Sequence, residues 1–261
     1  MRGRSLVCAR RLSNDQAMNA TLETMLAHRS IRRYRPEPIP DADIRRAVEA
    51  GQAASTSSAV QAYCAIRVRD ADARRRLVGL TGGQEKVASC GAFFAICGDT
   101  RRHRIAAAMH GVPYETHLEG FLLAVIDASL FAQNFSLALE SMGYGVCYIG
   151  GLRNDLPAVD ALLALPDGVF PLYGLCAGLP DESPAPRPRL DPASVLFDDR
   201  YPDDASVREQ LVEYDARYEA YLRDRDGGAG RPWSAVMARR FATPDRSGIG
   251  AYYRAKGADL G

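Results

Sequence analysis

The chain has 261 residues, 47% of them hydrophobic, with 33 basic and 32 acidic side chains and a net charge of +1. That length is enough for a full core, while the charge balance excludes a broad basic surface for nucleic acid, so any positive site has to be local. The cysteines (Cys8, Cys64, Cys90, Cys97, Cys147, Cys176) contain no C-x-x-C pair and the histidines lack metal-ligand spacing, which argues against a zinc site or a disulfide framework and for a reducing cytoplasm.

Residues 1–17 carry Arg2, Arg4, Arg10 and Arg11 but no apolar core of signal-peptide length, and are expected to form a disordered extension ahead of a single domain over 18–261. The spacing of Leu22, Met25 and Leu26 predicts a short helix over about 19–28 that delivers His28 at its end. The stretch 28–40 then places one imidazole, Arg29, Arg32, Arg33, Arg35 and the Ser30 hydroxyl ahead of Pro36, Pro38 and Pro40. Prolines stiffen such a segment, and guanidinium forks match phosphate oxygens. The cluster reads as a fixed anion site rather than a solvated arm.

Asp41 is expected to cap a second helix carrying Ile44, Ala47, Val48 and Gly51. The small hydroxylated run Ser55, Thr56, Ser57 and Ser58 follows. A strand is predicted over Cys64–Val68, a helix from Asp70 through Leu80, and a break at Thr81-Gly82-Gly83-Gln84, where glycine permits close backbone approach and Gln84 offers both donor and acceptor. Ala92–Cys97 reads as a buried strand. The charge run Arg101, Arg102, His103 and Arg104 reads as a solvated face.

The strongest helical pattern runs from about Glu115 to Met142, with apolar residues covering much of its circumference and Gln133 and Asn134 expected as satisfied buried polar contacts. The apolar run is interrupted by Asp127, Gln133 and Asn134, so no transmembrane span is expected. Gly143 is the C-cap candidate. A short strand over Gly145–Gly150 leads through Gly151-Leu152-Arg153-Asn154 into another helix, with Asn154 or Asp155 as cap and Pro157 in its first turn. A strand over Val169–Ala177 precedes a proline-rich extended loop, 180–192, from which Arg187 and Arg189 project on the same side. A helix over about 203–225 ends at a glycine-rich loop, 226–231, expected to be mobile and flanked by Arg225 and Arg231. The alternation of strands and helices argues for an α+β or α/β sandwich.

Four pieces of this chain, R-S-I-R-R-Y with P-I-P, T-G-G-Q at 81–84, V-C-Y-I-G-G-L-R-N at 146–154 and R-P-R-L at 187–190, resemble the FMN-dependent nitroreductase superfamily. In this order and at these separations they are most similar to its major oxygen-insensitive NADPH nitroreductases and NADPH-flavin oxidoreductases. The resemblance implies an α+β fold with a mixed β-sheet flanked by helices, and an interlocked homodimer with FMN at the interface. It further implies FMN and NADPH as cofactors, and two-electron ping-pong reduction of nitroaromatic, quinone and related acceptors. Residue by residue, it puts His28, Arg187 and Arg189 on the FMN phosphate, where the family more often has Lys at the position of Arg187. Ser30 and Arg32 match positions along the ribityl chain and the N1 edge, where a fixed cation would stabilise developing negative charge, and Arg29 between them counts with the cofactor-binding residues. Gln84 matches a pyrimidine-edge contact, Ser55, Thr56 and Ser57 border the flavin, and Tyr148, Ile149, Gly150 and Gly151 match the segment facing N5. Arg32, Gln84, Gly150 and Gly151 are thereby the residues closest to the chemistry. Arg225 matches a position at the 2′-phosphate of NADPH, with Arg231 beside it in a loop one residue shorter than usual.

No G-x-G-x-x-G follows the first strand and no Walker A sequence exists, so the flavin has to be held by scattered groups. A flavin reductase supplying free reduced flavin to a partner enzyme shares the same motifs. A non-enzymatic anion- or nucleic-acid-binding module would need basic residues across one surface, which this balanced chain lacks.

Overall fold

A computed structural model describes residues 19–227, 230–243 and 245–260. The expected extension at 1–17 and part of the 226–231 loop lie outside the described residues. In chain order the elements are α1 (Ala20–Leu26), α2 (Asp41–Gln52), β1 (Tyr63–Val68), α3 (Ala71–Leu80), α4 (Lys86–Ser89), β2 (Ala92–Asp99), α5 (Arg101–Met109), α6 (Leu118–Ser141), β3 (Gly145–Ile149), α7 (Leu156–Leu163), β4 (Val169–Gly178), α8 (Asp204–Asp226), α9 (Trp233–Ala242) and α10 (Ile249–Ala255).

The four strands form one sheet in the order β1-β2-β4-β3. All three ladders are antiparallel, with Cys64 opposite Cys97, Phe94 opposite Leu175 and Cys147 opposite Cys176. The fold is α+β as expected, but no parallel pairing, which a mixed sheet requires, occurs among the described residues of one chain. Two apolar layers cover the sheet. One packs Ile44 and Ala47 of α2, Phe131, Phe135 and Leu139 of α6 and Tyr253 of α10 against Phe94, Ile96, Val146 and Leu175. The other packs Leu77 of α3, Val87 of α4 and Val159 of α7 against Phe93, Ala95, Ile149 and Cys176. Strand β2 is buried along its whole length because both layers close on it, which is why its sequence is continuously apolar rather than alternating.

The helix ends follow their capping chemistry. Asn19, Asp70, His117 and Asp155 each accept a hydrogen bond from a first-turn backbone N–H, satisfying donors the helix cannot. Asp41 does not cap α2. The cap position is Pro40, and Asp41 turns outward to pair with Arg67 and Arg69 across to β1. Those two guanidinium groups hold its carboxyl below the usual carboxylate range. The charge run at 101–104 is only partly solvated: Arg102 pairs with Asp99 and donates to the Tyr63 carbonyl, and His103 Nε2 meets the Val60 carbonyl at 2.8 Å.

By length and composition α6 could cross a membrane, yet it packs along the sheet and buries Asp127, whose carboxylate accepts from the backbone N–H groups of Ser57 and Ala62. Asp127 and Ser136, whose hydroxyl donates to Tyr148, are satisfied buried polar residues of this helix, and Gln133 and Asn134 are not buried. Gln133 is exposed and Asn134 half-buried. Nor is α6 covered on all sides within one chain: Leu118, Leu122, Ile126 and Leu130, spaced by four, are 43–51% exposed. The C-terminal end is locked on by Lys256, whose buried ammonium pairs with Asp160 at 2.8 Å and donates to the Leu165 carbonyl at 2.7 Å.

Candidate functional site

The basic segment after α1 is fixed by its backbone. The Ile31 N–H donates to the Val146 carbonyl on β3 at 2.9 Å, and the Arg35 N–H to the Leu179 carbonyl at 2.9 Å. The Asp181 N–H donates back to the Arg33 carbonyl at 3.0 Å, and Tyr34 bridges Pro180. Inside this clamp the buried Tyr34 phenol donates to the Ile31 carbonyl at 2.6 Å, and burial raises its pKa so that it remains a donor. The Glu182 carboxylate accepts from the N–H groups of both Arg32 and Arg33. The Arg33 guanidinium also pairs with Glu182 at 3.4 Å, whereas Arg29 and Arg32 line a basic pocket.

Those two converge with the proline-rich loop. His28, Arg29, Ser30, Arg32, Pro184, Ala185, Arg187, Arg189 and Tyr221 line one pocket of about 80 Å³. Five of its nine lining residues are cationic or can become so, and none is acidic, so a chain of net charge +1 concentrates positive potential here. The loop is pinned by the Tyr214 hydroxyl, which donates to the Pro188 carbonyl at 2.9 Å, and Arg32 Nη1 donates to the Ser30 carbonyl at 3.2 Å. On the far side His28 Nδ1 meets Glu140 Oε1 at 2.7 Å.

A second group sits at the other end of β3. Gly150–Asn154 is a 3₁₀ turn that packs directly on the T-G-G-Q turn: a Cβ on Gly151 would lie 2.5 Å from the Thr81 carbonyl oxygen and 2.5 Å from Gln84 Nε2. Only glycine fits there. Gln84 Nε2 in turn donates to that Thr81 oxygen at 2.8 Å. Arg153 Nη1 donates to the Leu172 carbonyl at 2.5 Å and Arg246 Nε to Asn154 Oδ1 at 2.9 Å. The side chain of Ile149 is buried in the core layer containing Phe93, leaving only its backbone for a ligand. Tyr148 points to the opposite face, edge-on to Tyr173, and accepts from the Ser136 hydroxyl at 3.0 Å. Burial pushes its phenol up to about 12. From Val146, where the basic segment is tied on, to Gly150 is about 13 Å at the usual strand rise.

Ser55, Thr56 and Ser57 are not brought to the pocket at His28. Ser57 is held by Asp127 and His28 by Glu140, thirteen residues apart on α6, or about 20 Å along the helix. Arg225 lies over the Tyr221 ring at 5.5 Å, one residue removed from the pocket, and Arg231 is exposed. Glu140, Glu182 and Tyr221 had no signal in the sequence, since each reaches its partner from a remote segment.

The nitroreductase family model matches residues 25–179 and the model of that family's C-terminal domain matches 187–261. The chain belongs to the nitroreductase family. It is 40% identical over 247 residues to the FMN reductase (NADPH) of Bacillus subtilis, covering 92% of this chain and 98% of that protein. It is 36% identical over 244 residues to the oxygen-insensitive NADPH nitroreductase of Salmonella typhimurium, again covering 92% and 98%. Among solved structures, that of Bacillus megaterium NfrA1 superposes with a TM-score of 0.90 at 40% identity, covering 92% of this chain and 99% of that one.

Proposed function

We propose that this chain is an FMN-dependent NADPH oxidoreductase that reduces nitroaromatic, quinone and related electron-poor acceptors. The observation that carries the reading is the convergence of His28, Arg29, Ser30, Arg32, Arg187 and Arg189 on one acid-free pocket. Its donors suit a phosphomonoester: forked guanidinium groups from four arginines, an imidazole and a hydroxyl. FMN supplies the two-electron hydride chemistry when bound, and the protein supplies binding and electrostatics.

Each residue then has a task that its geometry permits. His28, Arg187 and Arg189 hold the phosphate, with Arg29 and Ser30 beside it. Arg32, fixed through its backbone at Glu182, offers a cation near N1 that need not reorganise as charge develops. Gly150 and Gly151 present backbone N–H groups at the reactive edge, a close approach that side chains would block, and Gln84 and Tyr148 border the ring. Arg225, with Arg231, reads the 2′-phosphate of NADPH.

The working unit is a homodimer. Support comes from the uncovered apolar row Leu118, Leu122, Ile126 and Leu130 and from the distance separating Ser55, Thr56 and Ser57 from the His28 pocket. In a two-fold pair the serine-rich loop of one copy completes the site of the other. The cytoplasm is the compartment this reading requires, in keeping with the free thiols at Cys64, Cys90, Cys97, Cys147 and Cys176.

Steady-state turnover with NADPH tests the proposal. Nitroarene- and quinone-dependent NADPH oxidation by purified protein is expected. Turnover with free FMN alone would favour the flavin-reductase reading, and no turnover with any of these acceptors would refute both.

A further inference from the structure

His28 stands between two compartments of opposite sign. One is the acid-free basic pocket with Arg29, Arg32, Arg187 and Arg189. The other is a cavity of about 400 Å³ with three carboxylates in its lining, Glu23 of α1, Glu140 of α6 and Glu182, against one guanidinium, that of Arg29, which borders both. The ring meets Glu140 Oε1 through Nδ1 at 2.7 Å, and the Glu140 side chain is only 12% exposed. An ionised carboxylate only accepts, so Nδ1 carries the proton. That leaves Nε2 as the ring nitrogen for the basic pocket.

Glu140 is also in an unfavourable place for an acid. It lies in the last turn of α6, where the helix dipole disfavours negative charge. A largely covered carboxylate at that position needs a compensating partner, and among the described residues His28 is that partner.

We infer that Glu140 is the positioning residue of the flavin phosphate site: by fixing His28 through Nδ1 it presents Nε2 to the 5′-phosphate and makes the protein select phosphorylated flavin over riboflavin. The inference rests on the reading of this pocket as the FMN phosphate site. A ring that already donates at Nδ1 can donate at Nε2 only as the imidazolium, and Glu140 supplies the counter-charge for that form. Carboxylate–imidazole pairs orient ring ligands in metal sites by the same logic. Arg187 and Arg189 supply bulk attraction, whereas the Glu140–His28 pair adds direction.

The test measures flavin affinity of apo-protein, by quenching of flavin fluorescence, for FMN and riboflavin separately. Glu140→Gln keeps a hydrogen-bond acceptor but removes the charge, and Glu140→Asp keeps the charge at a shorter reach. Glu140→Gln is expected to weaken FMN about tenfold, on the scale of a charged hydrogen bond, with riboflavin unchanged and Glu140→Asp intermediate. In a His28→Gln background the Glu140→Gln change should add less than about twofold, because a residue acting through His28 has nothing left to act on. Equal weakening of FMN and riboflavin, or a full tenfold loss persisting without His28, would show a merely structural role and overturn the inference. Should His28→Gln itself leave the FMN-to-riboflavin preference intact, the phosphate-site reading fails, and the inference with it. Loss of folding in Glu140→Gln, seen as a lost thermal transition while Glu140→Asp folds but binds FMN normally, also counts against it.

Discussion

Gly151→Ala probes the junction on which the reactive end of the site depends. Its new methyl carbon would sit 2.5 Å from the Thr81 carbonyl oxygen and 2.5 Å from Gln84 Nε2. The oxygen cannot retreat easily, because Thr81 is buried and tied to Leu77 through both its N–H and its hydroxyl. Overpacking of this kind costs about 1–3 kcal/mol. Displacing the Gln84 amide from the Thr81 oxygen forfeits a hydrogen bond worth about 0.5–1.5 kcal/mol. Together these give about 1.5–4.5 kcal/mol, which for a chain of this size lowers the melting temperature by roughly 3–18 °C. Gly79→Ala is the control. Position 79 lies in α3 with no atom within 4 Å of the added Cβ, so the change should stabilise by up to about 1 kcal/mol through helix propensity. Thermal unfolding of the two apo-variants, followed by circular dichroism, makes the comparison. If Gly151→Ala melts with the wild type, the packing of the two glycine turns is not as tight as described, and the argument that only glycine fits collapses.

Other perturbations follow the same geometry. Arg32→Ala should leave the fold intact, since the segment is held through backbone N–H groups at Glu182. It should slow flavin reduction by NADPH through the loss of about 2.7–4 kcal/mol of charge stabilisation, and an unchanged stopped-flow rate would remove Arg32 from the chemistry. Arg225→Ala is expected to raise the Michaelis constant for NADPH at least about tenfold, or about 1.4 kcal/mol, while NADH kinetics stay nearly constant. Equal losses with both donors would mean that the region shapes the pocket without reading the 2′-phosphate. Lys256→Met strands Asp160 beside Tyr252 and frees the Leu165 carbonyl. Breaking a largely buried pair from one side should cost about 3 kcal/mol, read as a lower denaturation midpoint in urea at unchanged slope.

What the sequence disclosed and what it withheld divide along the range of the interactions. Asp70 before α3, the continuous apolar run of β2 and the glycine break after α6 are local signals, and each lies where its residues predicted. Asp41 had the same local form as a cap, but Arg67 on β1 and Arg69 just beyond it compete for its carboxylate, and that competition is invisible along the chain. The long helix α6 was legible in extent but not in its polar roles: Asp127 looked like an interruption and is the acceptor that holds the serine-rich loop. Its exposed row of leucines and Ile126 belongs to a surface that one chain does not cover. The pocket itself shows both cases. The basic run after α1 was readable as an anion site from residue type and spacing, and Arg187 and Arg189 joined it only through the family resemblance. By contrast Glu182, which holds the Arg32 backbone, and Glu140, which holds His28, meet their partners across 150 and 112 positions. No local pattern encodes such pairs.

The most direct test of the central claim is the flavin content of the purified protein and its response to NADPH. The account predicts a yellow wild type that binds FMN and bleaches when NADPH is added without oxygen. In the Arg187→Ala/Arg189→Ala double variant it predicts colourless apo-protein at micromolar concentration, since each lost charged hydrogen bond removes about 1.5–3 kcal/mol. A wild type that takes up no FMN, or a double variant that purifies fully yellow, would contradict it.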